Sequence, residues 1–341
     1  MRLVIYSPAF LPLVGGLEIN TATLATELVK LGQEVVVVTQ TPAGAAPDGD
    51  ELPYEVVRRP GPLELLRRVR WCDLFLQQNV SLRGLWPLLL VRRPWAVSHH
   101  SWYCRTDGRI AWQDRLKRRL LRRAAVSIAV SRAVAADLAT PSVVIGNPYR
   151  DALFRRLPEV ERSRELAFVG RLVSDKGVDL LLEAMGRLAR GGLHPRLTVV
   201  GDGPEAPRLC EQAERLGIGS QVDLVGTRTG EELVELLNRH RILVVPSRYD
   251  EPFGIVALEG IACGCLVVGS RGGGLGDAIG PHGFTFANGD VAGLTELLAG
   301  LLADSEAGTE KLAGAEAHLA RHRAAAVAAA YLAALAGAVR S

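Results

Sequence analysis

The chain has 341 residues, 48% hydrophobic and 23% charged, with a formal net charge of +3. That length exceeds one small core and suits two domains, and the composition is ordinary for a soluble globular protein. A charge so near neutral leaves no electrostatic footprint for nucleic acid, so no nucleic-acid partner is expected.

The N-terminus, MRLVIYSP, has no cleavable signal pattern and runs directly into a strand-like segment. The apolar stretch Leu85–Val91 is far shorter than the roughly 20 residues that cross a bilayer, so a cytoplasmic location is expected. Short β-branched runs then alternate with amphipathic stretches. Strands are predicted at Leu3–Tyr6, Glu34–Thr39, Glu55–Arg58, Asp73–Leu76, Trp95–Ser98, Val126–Val130 and Val143–Ile145. A second series follows at Leu166–Val169, Leu197–Val200, Val222–Val225, Ile242–Val245 and Leu266–Val268. Continuous apolar runs such as Val35–Val38 suit strands covered on both faces, hence a parallel sheet flanked by helices. Leu17–Leu31 is one such helix, with Ala22, Ala25, Leu28 and Val29 at helical spacing. The alternation predicts doubly wound α/β sheets.

The pattern breaks near Gly146-Asn-Pro-Tyr-Arg150, and the polar segment Leu157–Glu165 has the composition of a linker. Two similar domains are therefore expected, residues 1–150 and 151–321. Beyond about Thr309 the chain is Ala-rich and helical; a final helix at about 322–341 either returns to the first domain or completes the second. The five cysteines, Cys72, Cys104, Cys210, Cys263 and Cys265, are odd in number and lack framework spacing. Cys263-Gly-Cys265 has no second ligand pair at a distance that zinc would need, so reduced thiols are expected.

Open parallel sheets bind ligands beyond the carboxyl ends of their strands. The first such loop, Pro12–Glu18, holds Gly15 and Gly16, which either form a tight turn or let backbone approach an anion at a helix start. No Gly-x-Gly-x-x-Gly follows either first strand, which argues against a dinucleotide oxidoreductase. In Gly170–Gly177, Arg171 and Lys176 are either a solvated rim or a diphosphate clamp. Gly201-Asp-Gly203-Pro and Gly226-Thr227-Arg-Thr-Gly230 are turns or backbone contacts to a flat base.

The segment DEPFGIVALE sets Glu251 and Glu259 around Pro252-Phe253-Gly254. Pro252 suits the first turn of a helix, which would leave the N–H groups of Gly254, Ile255 and Val256 free for an anion. Carboxylates repel anions but accept from hydroxyls, so the two acids are expected to hold diols on either side. A diphosphate between two diols is a nucleotide sugar. The bland alternative is a pair of acids at a helix N-terminus.

Together these residues resemble the retaining glycosyltransferases of family four, which have the GT-B architecture of two facing Rossmann-like domains. The resemblance rests on Glu251-x7-Glu259 enclosing Pro-Phe-Gly, on Phe168–Gly177, on Val200-Gly-Asp-Gly-Pro204 and on Gly15-Gly16-x-Glu18. It implies that Arg171 and Lys176 neutralise the donor diphosphate, Glu259 binds the ribose and Glu251 the transferred sugar. The amides of Gly254, Ile255 and Val256 would complete the cradle, with Gly15 and Gly16 closing from the first domain. Gly203, Thr227 and Phe253 join the implied donor contacts. It further implies a histidine near the sugar, His100 rather than His99 by its distance from Pro94. The junction reads Gly146-Asn-Pro148 where Pro-Asn-Gly is commoner in the family.

The reaction implied is transfer from a nucleotide sugar, UDP being the commonest base, to a hydroxyl acceptor by same-face attack. No Asp-x-Asp lies at a strand exit, so no metal and no cofactor are expected, and domain closure is expected instead. An epimerase of similar architecture and a non-catalytic nucleotide-sugar binder are the rivals. Trp112–Ala124 is a basic amphipathic helix that suits either solvent or weak contact with anionic lipid. The Ala-, Arg- and Gly-rich composition with almost no lysine resembles that of a GC-rich actinobacterial gene, with an oligosaccharide antibiotic or an envelope glycan as acceptor; a monomer or dimer is expected.

Overall fold

The computed structural model describes residues 1–13, 15–44, 52–103, 111–138, 140–304 and 306–339; Cys104 lies outside them. The chain forms two compact units, one of residues 1–148 with the segment from His322 onward, the other Tyr149–Arg321.

The first unit is built on β1 (Arg2–Ser7), β2 (Glu34–Thr39), β3 (Glu55–Arg58), β4 (Leu74–Gln78), β5 (Trp95–His99), β6 (Val126–Ala129) and β7 (Val143–Val144). These pair in parallel in the order β3-β2-β1-β4-β5-β6-β7. Alternate residues of β1 feed two separate clusters. Leu3 and Ile5 join one, with Leu24 and Leu28 of the helix Gly16–Lys30, and Val4 and Tyr6 join the other. Both faces are thus buried, which is why the strands read as unbroken apolar runs.

The second unit holds β8 (Arg164–Val169), β9 (Leu197–Val200), β10 (Val222–Gly226), β11 (His240–Val245), β12 (Leu266–Ser270) and β13 (Gly283–Phe286), again parallel. Their order is β10-β9-β8-β11-β12-β13. The expected α/β class, two doubly wound parallel sheets, is the one observed.

Three local expectations need correction. β13 was not anticipated, because Gly283-Phe-Thr-Phe286 is an edge strand in which only Phe286 is fully buried, so it lacks an apolar run. The polar segment near residues 157–165 is no inter-unit linker. Arg162 within it donates to the carbonyls of His240 (2.6 Å) and Cys263, and β8 starts at Arg164. Arg162 thus serves backbone acceptors, while Glu159, Glu161 and Ser163 are exposed. The boundary between units falls instead at Pro148/Tyr149.

The Ala-rich tail divides. Helices Glu306–Leu312 and Ala315–Ala320 stay with the second unit, whereas Ala324–Val339 belongs to the first. There Val327, Tyr331 and Leu335 complete the cluster under β1 and the helix Gly16–Lys30.

Candidate active site

Strand order reverses between β8 and β11, so the loops leaving these two neighbours diverge and open a crevice at their carboxyl ends. The loop after β8 carries Arg171 and ends in the short 3-10 turn Ser174–Lys176. Gly177 closes it at φ 66°, and a Cβ there would overlap the Pro246 carbonyl at the end of β11. That close approach requires glycine. The two loops are also tied by Asp175, whose carbonyl accepts from the amides of Arg248 (2.9 Å) and Tyr249 (3.3 Å).

This packing brings Lys176 Nζ to 2.6 Å from Glu251 Oε1, which also accepts from Ser247 Oγ at 2.7 Å. Glu251 is buried, and its backbone is held by a parallel bridge to Gly273 and by the Gly274 amide, which donates to its carbonyl at 2.6 Å. The helix does not begin at Pro252 as expected. It spans Ile255–Ala262, with Gly254 as its N-cap at φ 102°. A residue with a Cβ would be strained there and would also meet Leu275, so Pro252 and buried Phe253 form a bend ahead of the helix. Among the described residues, nothing accepts from the amides of Gly254, Ile255 and Val256.

Glu259 lies on the same helix, its Oε1 3.7 Å from Arg150 Nε. Burial pushes its carboxyl up to about 7, with Arg150 acting in the opposite direction. The Arg150 guanidinium also lies 5.0 Å from the Phe154 ring centre. Arg171 is exposed, with no side-chain partner among the described residues. Gly203 and exposed Thr227 follow β9 and β10, the strands next in order from β8.

The first unit gathers a different set of polar groups. Gly15 caps the helix that Gly16 opens, and Gly16 is exposed. At the end of β5, His99 is fully buried, bonded to the Tyr103 hydroxyl (2.7 Å) and Ser127 Oγ (3.0 Å). His100 is half-buried. Its Nε2 meets Gln78 Oε1 at 2.6 Å and Ser98 Oγ at 2.8 Å, and its Nδ1 meets Asn20 Nδ2 at 3.3 Å. Ser98 Oγ in turn contacts the Tyr331 hydroxyl (2.6 Å) on the C-terminal helix, and Asn20 donates to Asn147 Oδ1 (3.1 Å). Close packing of protein atoms lowers both rings, His99 to about 3 and His100 to about 4.

Ser247, Arg150, Asn20, Asn147 and Tyr331 did not emerge from the sequence. Ser247 follows the strand run of β11 and Arg150 follows the domain break, so position alone was a usable signal for those two. The other three meet only through tertiary contacts. No group of three or more His, Cys, Asp or Glu that could hold a metal occurs among the described residues.

Residues 14–149 match the family model described as Glycosyltransferase Family 4, and residues 150–314 match Glycosyl transferases group 1. The chain is 39% identical over 157 residues to a glycogen synthase of Mycobacterium tuberculosis, covering 46% of this chain and 38% of that protein. It is 36% identical over 178 residues to a D-inositol 3-phosphate glycosyltransferase of Stackebrandtia nassauensis, covering 49% and 40%. The chain thus spans less than half the length of the curated relatives it matches. In fold it is similar to Anabaena HepE in complex with UDP, with TM-score 0.83, 21% identity and coverage of 98% and 100%. It is also similar to sucrose-phosphate synthase of Thermosynechococcus elongatus, with TM-score 0.79, 22% identity and coverage of 97% of both chains. The two models between them run from residue 14 to residue 314, and the chain belongs to the glycosyltransferases, a family 4 domain followed by a group 1 domain.

Proposed function

We propose that this chain is a retaining glycosyltransferase that moves a sugar from a nucleotide sugar, foremost a UDP-sugar, to a hydroxyl acceptor, and that the second unit holds the donor. The observation that carries this reading is the Lys176–Glu251 contact at the β8–β11 crevice, beside the open amides of Gly254, Ile255 and Val256. A cation, a helix start and two carboxylates in one crevice match a diphosphate flanked by hydroxylated rings.

In this reading Glu259 accepts from the ribose hydroxyls and Glu251 from those of the transferred sugar. Lys176, now bonded to Glu251, is shared with the incoming diphosphate, and exposed Arg171 turns to the same group. Gly203, Thr227 and Phe253 border the nucleotide. His100, held neutral by burial, suits hydrogen bonding to a sugar hydroxyl rather than proton donation.

As the bond from anomeric carbon to phosphate oxygen breaks, its electron pair passes to the diphosphate. The acceptor oxygen bonds the carbon on the same face, and its proton goes to the departing phosphate oxygen. Lys176, Arg171 and the helix amides stabilise the charge that develops on that leaving group, which is why the proposal needs no divalent metal. UDP in the solved HepE complex supports uracil as the base. Relatives named for glycogen and for D-inositol 3-phosphate support a polyhydroxyl acceptor; an oligosaccharide antibiotic or an envelope glycan is the kind proposed.

The test is a thermal-shift screen over UDP-, GDP-, ADP- and TDP-sugars, since a bound ligand raises the melting temperature by mass action. It is followed by transfer assays in chelator. A UDP-sugar shift that disappears in Glu259→Ala supports the reading. Binding without transfer to any acceptor, and unchanged by Glu251→Gln, would leave only a nucleotide-sugar binder.

A further inference from the structure

The first unit carries a groove of about 680 Å³ between the segment around Trp86–Trp95 and the helix Trp112–Leu121. Its floor is apolar, with Leu85, Trp86, Leu116 and Leu120 among its walls, and no acidic residue lines it. Leu89 is 80% exposed and Trp112 70%, which is unusual for side chains of this size. Around the apolar floor stand Arg92, Arg93 and Arg123, and the helix and its C-cap add exposed Arg115, Arg119 and Arg122. None of these six arginines has an acidic partner among the described residues, and the helix's one acid, Asp114, is bonded to Lys117 at 3.0 Å.

The groove is not a sugar site. Pro94 leads into β5 and Arg123 stands just before β6, so it opens at the amino ends of the strands. The carboxyl ends, with His100, are the opposite edge.

We infer that this arginine-rimmed groove docks on bilayers that carry anionic phospholipid. Such a surface offers phosphates in a layer directly above hydrocarbon, which matches guanidinium groups set around an apolar floor. Exposed Trp112 opens the helix that carries Leu116 and Leu120, and an exposed tryptophan suits the headgroup boundary. A second copy of the chain is disfavoured by charge, because a two-fold contact through this face would set the arginines of both copies against each other.

The test is co-sedimentation of the full chain with phosphatidylcholine vesicles, with or without phosphatidylglycerol, at low and high salt. Binding is expected only to vesicles containing phosphatidylglycerol, and more weakly at high salt. Arg119→Gln with Arg123→Gln should weaken it about 25-fold, the product of about fivefold for each basic side chain at an anionic surface. Leu89→Ser with Leu116→Ser should also weaken it, although charge is unchanged. Both variants should keep the native melting temperature in the absence of vesicles, which separates lost docking from lost folding. No wild-type binding at low salt, equal binding to both vesicle types, or wild-type binding by both variants would overturn the inference. So would self-association without lipid that both variants abolish, which would assign the groove to a second copy.

Discussion

The two units each gather polar groups at the carboxyl end of a parallel sheet, but with opposite electrostatics. Around His100 the first unit builds a neutral network of Asn20, Asn147, Gln78, Ser98 and Tyr331, in which Gln78 Nε2 alone of these side-chain groups is buried with no partner among the described residues. The second unit places charges in contact: Lys176 on Glu251, and Arg150 beside Glu259. A neutral network fixes geometry and has no charge to exchange with an anionic ligand. A half-covered ion pair can trade one partner for a ligand charge, so the second unit is where an anionic donor should be felt most.

The largest expected effect breaks the comparison at its charged end. Lys176→Ala should lower turnover by roughly 10²–10³-fold, the scale of losing one donor to a developing oxyanion. Near-normal transfer would remove Lys176 from the phosphate clamp. Glu251→Gln should cost about 10²-fold in turnover while UDP affinity changes by only a few fold, because its proposed contact is to the sugar. Calorimetry with UDP alone, set beside transfer kinetics, separates the two effects.

The next prediction concerns protons. Burial raises the Glu259 carboxyl to about 7. If its carboxylate accepts from ribose, UDP binding favours the ionised form, so affinity should fall as pH drops below about 7, at most tenfold per unit. Binding near pH 6.5 should release a fraction of a proton, read as buffer-dependent calorimetric heat. Glu259→Gln should abolish that release.

The same carboxyl sharpens the contrast with the histidines. Between about pH 4.5 and 7 the native Glu259 holds a proton that the unfolded chain has lost, so its local stability rises as pH falls. His99 and His100 resist protonation down to about 3 and 4, while the unfolded chain takes up protons from about 6.5. Stability around β5 should therefore fall as pH drops from 6.5 toward 4. His240 of β11, also lowered by burial, should weaken the base of the second sheet in the same direction. Native-state hydrogen exchange should record faster local opening at β5 on acidification and slower opening in the helix Ile255–Ala262. Like signs at both places would break the comparison.

The smallest effect lies in the network itself. Tyr331→Phe removes the hydroxyl that meets Ser98 and should cost about 1 kcal/mol, a melting shift of roughly 2–4 °C. No change would mean that the tail helix is held by its apolar face alone.

Much of this was legible in the sequence, for physical reasons. Strands buried on both faces must be continuously apolar, so β2 and β9 fall on the predicted residues. Chemistry-bearing loops at strand exits need glycine and fixed charge, which is why the segments holding Lys176 and Glu251 stood out. The edge strand β13 did not, since one buried phenylalanine makes no periodic signal. Nor did Arg162, whose partners are backbone carbonyls far along the chain.

The sequence by itself determined two parallel sheets, their strand positions and which loops carry acids and cations, because burial and backbone geometry act on neighbouring residues. Only the tertiary structure decided that the last helix completes the first unit, that Lys176 and Ser247 meet on one oxygen of Glu251, and that Arg150 approaches Glu259. Those outcomes depend on pairings between residues tens or hundreds apart. No local pattern encodes such distances; the order in which the strands pack does.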